Sequence, residues 1–237
     1  LIVNNPVSVG FYMIHHRFYC YLKNMKPGQL PGQPAQMRMS PTPLDPNFVL
    51  PRTPSDSAHP SSVLIPVYPD SNQKLHVVLT LRSDNIRHAG QISFPGGRQE
   101  NRESLEETAL RELHEEVGIP GNFVKTVGPI TPLYLHRTDN QITPFIGFMD
   151  EKPKLIPNPI EVSEIVTAEL DDLLSEKNRK REQWDLPQTS FDVPFWDIHD
   201  VPLWGATAMI MSEFITIYEK FKQIDPVASS KSPIRKN

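Results

Sequence analysis

Between Ser104 and Gly118 the letters LEETALRELHEEV leave the backbone little choice. Leu105, Ala109, Leu113 and Val117 recur every four residues, close to the helical repeat of about 3.6, and so form one apolar stripe on a helix. Ser104 and Glu107 make the Ser-x-x-Glu pair that closes a helix N-terminus, and Gly118 stands where a left-handed C-terminal stop belongs. A helix over 105–117 that buries this stripe is the element around which the rest of the chain must fold.

The far end of that helix is electrostatically unfavourable. Glu112, Glu115 and Glu116 are three and four residues apart, so their side chains occupy neighbouring positions on one arc. Like charges at this spacing cost about 0.2–0.5 kcal/mol per pair, and the negative end of the helix dipole adds about 0.3–1 kcal/mol per charge. A bound cation reverses the sign of each term, and oxygen-only donors suit a hard ion, Mg²⁺ or Mn²⁺. For an isolated E-x-x-E-E a solvated acidic face is the plainer reading. Here Arg111 interrupts the acids, and Glu107, four residues before it, stands in the favourable order for a helical ion pair. Upstream, Gly96 and Gly97 let backbone amides approach an anion closely, although a Gly pair can also be simply a turn.

The flanking sequence falls into distinct textures. From Lys26 to Pro60 the chain is dense in Pro and polar residues, which remove backbone donors and oppose long helices or central strands. Residues 1–61 are therefore expected to form a flexible, Pro-rich arm. At Ser62 the texture changes: VLIPVY and LHVVLTLRS read as strands. Further on, QITPFIGFM reads as a strand, TAELDDLLSEKNR as a short helix and WGATAMIMSEFITIYEKF as a long amphipathic closing helix. Strands interleaved with helices over 62–222 imply one mixed α/β domain, and residues 223–237 are expected to be a disordered tail.

Composition narrows the function classes. A net charge of −4 and a pI near 6.1 give no footprint of a general nucleic-acid binder. The single cysteine, Cys20, cannot pair within the chain or build a thiolate metal site, so a reducing cytoplasm is expected. The apolar opening LIVNNPVSVGFYMI is broken by Asn4, Asn5 and Pro6, and neither a membrane span nor a secretory leader is expected from it.

At this point the residues resemble a known family. Gly97, Glu103, Arg111, Glu112, Leu113, Glu115, Glu116, Gly118 and Ile119 occupy every fixed position of the Nudix box, G-x5-E-x7-R-E-U-x-E-E-x-G-U with U aliphatic. The resemblance implies a single-domain α/β fold of the Nudix type, an α/β/α sandwich with a mixed sheet. It also implies hydrolysis of a nucleoside diphosphate linked to another group. Glu112, Glu115 and Glu116 would hold Mg²⁺ or Mn²⁺ against the pyrophosphate, Arg111 would orient Glu112, and Glu103 would support them from outside the helix. The general base is a box glutamate or one from a later loop, for which Glu161 and Glu164 in NPIEVSEI are the candidates; Glu164 is taken as the catalytic one.

The run immediately upstream is similar to the additional signature of the coenzyme A diphosphatase branch. Leu79, Thr80, Arg82, Ser83, Arg87, His88, Gly90, Gln91, Phe94, Pro95, Gly96 and Gly97 carry that likeness, and Val78 departs from it by standing where Leu is usual. The resemblance extends through QITPFIGF, NPIEVSEI and WGATAMI. It implies coenzyme A or its thioesters as the small-molecule substrate, with Arg82, Ser83, Arg87, His88, Gln91, Gly96 and Gly97 on the substrate side. Coenzyme A carries a 3′-phosphate besides its pyrophosphate, and Arg82 and Arg87 could meet it by paired guanidinium contacts, with His88 adding a hydrogen bond. A broader nucleoside-diphosphate hydrolase acting on ADP-ribose, NADH or oxidised nucleotides is the first alternative. A non-catalytic nucleotide-sensing module is the second, although such modules tend to lose box carboxylates that this chain retains. No nucleic-acid or membrane partner is expected, and a homodimer is possible.

Overall fold

The computed structural model describes residues 13–49, 53–86, 88–187 and 189–225. The expectations for the apolar opening before residue 13, for Arg87 and for the tail beyond residue 225 lie outside the described residues.

In chain order the elements are α1 (Met13–Lys23), α2 (Gly32–Met37), β1 (Thr42–Pro43), β2 (His59–Pro69), β3 (Leu75–Arg82), β4 (Ile92–Ser93), β5 (Gly96–Arg98), α3 (Leu105–Val117), β6 (Lys125–Pro129), β7 (Leu133–Leu135), β8 (Asn140–Phe148), β9 (Val162–Glu169), α4 (Leu170–Leu174), β10 (Arg179–Leu186), β11 (Thr189–Trp196) and α5 (Gly205–Ile224). The main sheet has eight strands. Its backbone runs β4-β3-β2-β8-β6, with β9 added to β3, β5 to β2 and β7 to β8. β2 and β8 pair in parallel from His59↔Asn140 to Val67↔Phe148, and the other pairings are antiparallel, so the sheet is mixed. A second sheet, β1-β11-β10, lies beside it.

Strand alternation gives the main sheet two apolar faces. Leu64, Tyr68, Val78 and Phe145 face one cluster with Ala109, Leu113 and Val117 of α3. Ile65, Val67, Val77, Leu79, Ile146 and Phe148 face the other, with α1, α4 and α5. The fold is thus an α/β/α sandwich, as the family resemblance implies. The α3 boundaries coincide with the sequence reading: Ser104 accepts from the Glu107 amide, Glu107 accepts from the Ser104 amide, and Gly118 is left-handed at φ 73°. The segment expected as one short helix divides instead. Thr167–Glu169 end β9, α4 is only one turn, and a 3₁₀ turn at Glu176–Asn178 leads into β10. The β10–β11 hairpin carries no clear sequence signal, because β10, RKREQWDL, is an exposed edge strand without strong alternation.

The expected arm is corrected by the structure over residues 13–49. Ile14, Phe18 and Leu22 recur at helical spacing on α1, and Phe18, fully buried, meets the rings of Phe148, Phe214, Tyr218 and Phe221. Glu213 on α5 is wholly buried and accepts from the Gly32 amide, Gln36 Nε2 and Thr131 Oγ1 at 2.7–3.0 Å. Arg17 pairs with the nearly buried Asp225 at 2.5 Å. The prolines do not oppose this packing, because Pro31 caps α2 and Pro34 falls in its first turn, where no intrahelical amide donor is needed. Replacing Phe18 by Ala should lower unfolding stability by about 3–5 kcal/mol, the usual cost of deleting a core aromatic side chain. An unchanged denaturation midpoint would show that α1 contributes nothing to the core.

Candidate functional site

The carboxylate end of α3 is held by Arg111. Its guanidinium donates from Nε to Glu103 Oε2 at 3.1 Å and from Nη2 to Glu103 Oε1 at 2.9 Å, a two-pronged pair. Nη1 donates to Glu112 Oε1 at 2.9 Å and to Glu115 Oε2 at 2.8 Å, and Nη2 also reaches the Arg98 carbonyl at 3.2 Å. One cation therefore spans three carboxylates and the end of β5. The expected Glu107–Arg111 pair is absent, because Glu107 is occupied in the capping box. The Arg111 guanidinium, helped by the Glu100 amide and the Thr108 hydroxyl, holds the Glu103 carboxyl down to about 2.

Glu112 and Glu116 turn inward from the same helix. Glu116 is 2% exposed and lies against β3, with Thr80 Oγ1 3.4 Å from its Oε2. Its carboxyl is pushed up to about 7: burial is the main cause, Glu112 and Glu161 add to it, and Arg82 and the Gly96 amide pull the other way. Burial likewise pushes Glu112 up, against the pull of Arg111. Gly96 and Gly97 make this proximity possible. A Cβ on Gly97 would lie 2.2 Å from Glu112 Oε1, and one on Gly96 would lie 2.4 Å from the Ser62 carbonyl. The glycines thus admit the helix carboxylates themselves to the β5 backbone.

Beside this turn stands the loop between β3 and β4. It is closed at its neck by Arg82 and Gln91: the Arg82 amide donates to Gln91 O and the Gly90 amide to Arg82 O, both at 3.0 Å. His88, at φ 60°, and Gly90, at φ 68°, make the tight return, and His88 is exposed at the loop tip. Ser83, expected on the substrate side, is buried instead and faces another protein segment. Its Oγ donates to the Ile160 carbonyl at 2.6 Å and its amide to the Glu161 carbonyl at 2.9 Å.

That segment caps the end of α3. The Ile156 amide donates to Val117 O and the Asn158 amide to Glu116 O, both at 2.9 Å. These bonds satisfy carbonyls that a helix end leaves open, and they bring the half-buried Glu161 close enough for its charge to act on Glu112 and Glu116. Glu164 does not join them. It pairs with Leu81, whereas Ile165 pairs with Thr80, and residues directly opposite across an antiparallel ladder share a face. Ile165 packs toward α3 while Leu81 packs toward the other core, so Glu164 lies on the far face, 54% exposed and 3.3 Å from His199 Nε2. Thr80 enters the sequence reading only as part of the upstream likeness, without a role at the site, and the 156–158 cap has no local signature.

The donor set fits a divalent cation. Glu112 and Glu116 are carboxylates in a poorly hydrated corner; burial raises both and neighbouring carboxylates add to it, and Glu115 stands next to them at the surface. Hard oxygen donors with surplus negative charge suit Mg²⁺ or Mn²⁺. Among the described residues no group of three or more metal-ligating side chains is gathered at ligand distance, and Arg111 engages Glu112 and Glu115.

An α/β/α sandwich with a carboxylate-rich helix end set against a glycine strand is the class of protein that the geometry describes. The particular family follows from comparison: the NUDIX domain model matches residues 58–189, and the chain belongs to the Nudix hydrolase family. Nudix hydrolase 3 of Caenorhabditis elegans is 32% identical over 182 residues, covering 69% of this chain and 75% of that protein. Peroxisomal coenzyme A diphosphatase NUDT7 of Mus musculus is 37% identical over 117 residues, covering 48% of this chain and 49% of its own length. The crystal structure of the Nudix hydrolase RenU of M. Smegmatis aligns over 71% of this chain and 88% of its own at a TM-score of 0.49 and 18% identity. Family membership makes hydrolysis of a phosphorus-containing acid anhydride the general activity, with a divalent metal such as Mg²⁺ or Mn²⁺ as the usual cofactor. Among the described residues no helix is long and apolar enough to cross a membrane.

Two outcomes follow from this geometry. Gly97→Ala should fold with an unchanged melting temperature while displacing the end of Glu112, and activity should fall by roughly 10²-fold, the scale of a misplaced active group. Gly96→Ala should instead cost about 1–3 kcal/mol of stability, because its Cβ meets backbone. Equal effects in thermal melts and initial rates would contradict the distinction. Separately, Mg²⁺ or Mn²⁺ should raise the melting temperature of the wild-type protein, and Glu112→Gln with Glu116→Gln should abolish the rise. A metal-independent melt of the wild-type protein would remove the cation from this site.

Proposed function

We propose that this protein hydrolyses the pyrophosphate of coenzyme A or its thioesters, releasing adenosine 3′,5′-bisphosphate and 4′-phosphopantetheine or its acyl form. The observation that carries the reading is the closed loop from Arg82 to Gln91 beside the carboxylate turn, with the charge of Arg82 felt at Glu116. The signature run from Leu79 to Gly97 and the likeness to the mouse coenzyme A diphosphatase over about half of each chain support it.

In this reading Glu112, Glu115 and Glu116 hold the divalent cation. When bound, it polarises the phosphoryl oxygen and lowers the pKa of the attacking water. Arg111 keeps Glu112 and Glu115 aligned and is itself fixed by Glu103. Glu161 receives the proton of the attacking water on its carboxylate, since its turn is bonded to the end of α3 while Glu164 lies on the opposite face of the sheet. Arg82 and His88 meet substrate phosphate, the first by paired guanidinium contacts and the second by a hydrogen bond from the loop tip. Gln91 belongs to the neck of the same loop.

The test is a panel of coenzyme A, dephospho-coenzyme A, ADP-ribose and 8-oxo-dGTP with Mg²⁺, products identified by mass. Coenzyme A should yield 4′-phosphopantetheine, and Glu116→Gln should lose at least about 10²-fold in kcat, the scale for removing a group that stabilises transition-state charge. Dephospho-coenzyme A should be poorer by about tenfold or more in kcat/KM, the value of one or two charged hydrogen bonds. Cleavage of ADP-ribose or 8-oxo-dGTP without coenzyme A would retain the Nudix chemistry and overturn the substrate.

A further inference from the structure

Ser83 stands within the signature run that supports the substrate assignment, yet its polar atoms are spent inside the protein. It is 5% exposed; its hydroxyl donates to Ile160 O at 2.6 Å, its amide donates to Glu161 O at 2.9 Å, and its Oγ accepts from the Asn85 amide at 3.3 Å. A buried hydroxyl so engaged has little capacity left for a ligand. The residues it binds lie in the segment tied at its other end to α3 by the Ile156 and Asn158 amides. Within that segment the Glu161 amide donates to Asn158 O at 3.0 Å and the Val162 amide to the same carbonyl at 2.8 Å, while Asn158 Oδ1 accepts from the Ile160 amide at 3.1 Å. The 156–162 turn is therefore pinned at two places, with Glu161 at the second.

The β-ladder that leads into this turn is irregular. Leu81 pairs with Glu164 and Arg82 with Val162, so Ser163 is an extra residue in β9, bonded through its own hydroxyl to Leu81 O at 3.0 Å. Such a bulge interrupts the ladder and re-aims the chain that leads into it. Past it the pairing resumes at Arg82↔Val162 and continues through the Ser83 amide to Glu161 O, and the Ser83 hydroxyl adds a side-chain bond to Ile160 O.

We propose that Ser83 is a positioning residue: it fastens the turn carrying Glu161 to the neck of the Arg82–Gln91 loop, so that the later-loop carboxylate and the substrate loop are held as one unit against the carboxylate end of α3. Ser83 itself does not touch substrate. This rests on the role of Glu161 in the proposed function and not on the identity of the substrate.

A double-mutant cycle tests it, run with Mg²⁺ on whichever pyrophosphate substrate of the panel the wild-type protein cleaves fastest. Glu161→Gln should lower kcat by about 10²-fold, the low end for loss of a general base. Ser83→Ala should lower kcat by roughly tenfold with KM within about twofold, and combined with Glu161→Gln it should add less than about twofold, as expected of residues acting through one another. Amide exchange in Ser83→Ala should quicken at 156–162 and stay slow in α3. If Ser83→Ala does not fold, the same cycle is run with Ser83→Cys, which keeps nearly the same shape and weakens the donor. A rise in KM at constant kcat would assign Ser83 to substrate and overturn the proposal, as would multiplicative losses in the double mutant or an unchanged kcat in Glu161→Gln. Coenzyme A passing uncleaved while another substrate shows the coupled losses would overturn the substrate assignment alone.

Discussion

The arrangement depends on Arg111. A helix that ends in Glu112, Glu115 and Glu116 carries repulsion between its own side chains and against its own dipole. Arg111 gathers Glu112 and Glu115 on one nitrogen and anchors itself on Glu103 through two others, so a single guanidinium sets three carboxylates in fixed relation. Glu116, beyond its reach, is confined by burial against Thr80 and by the Gly96 backbone. The outcome is an acidic corner of defined geometry with negative charge to spare, which is the condition for capturing a hard divalent ion.

Everything that brings a second group to this corner is backbone architecture. β5 passes beside α3 without a side chain at either glycine, the β3–β4 loop closes at Arg82 and Gln91, and the 156–162 turn completes the helix end by filling its open carbonyls. The opposite side of the sheet has a different task. There the aromatic cluster around Phe18 and the buried Glu213 join the N-terminal segment to α5. Glu213 is tolerable in that core because three donors converge on it, as a buried charge requires. Division of labour between the faces explains why the chain is acidic in one corner and aromatic behind it.

Local chemistry made part of this legible beforehand. Helix α3 could be read to the residue because its stripe, capping box and glycine stop all act within a few positions of one another. The box carboxylates, Arg111 and the glycine pair were legible for the same reason, being separated by helical spacing or by one short loop. The segment before Ser62 was misjudged because proline-rich composition describes what a chain avoids, and helix-starting prolines at positions 31 and 34 look no different in sequence from linker prolines.

The choice between Glu161 and Glu164 shows the limit. Both stand in one short acidic run, and only the bulge at Ser163 and the pairing of Glu164 with Leu81 assign them to different places. Ser83 likewise carries the same letter whether it binds a phosphate or the carbonyls of a neighbouring turn. The sequence by itself determined the α3 helix, its acidic terminus and the mixed α/β class, since each follows from interactions a few residues long. Tertiary structure alone decided which carboxylate approaches the turn, what the signature serine holds and where the N-terminal segment packs. Those depend on strand register and on contacts between residues as far apart as Arg17 and Asp225, whose formation no local spacing encodes.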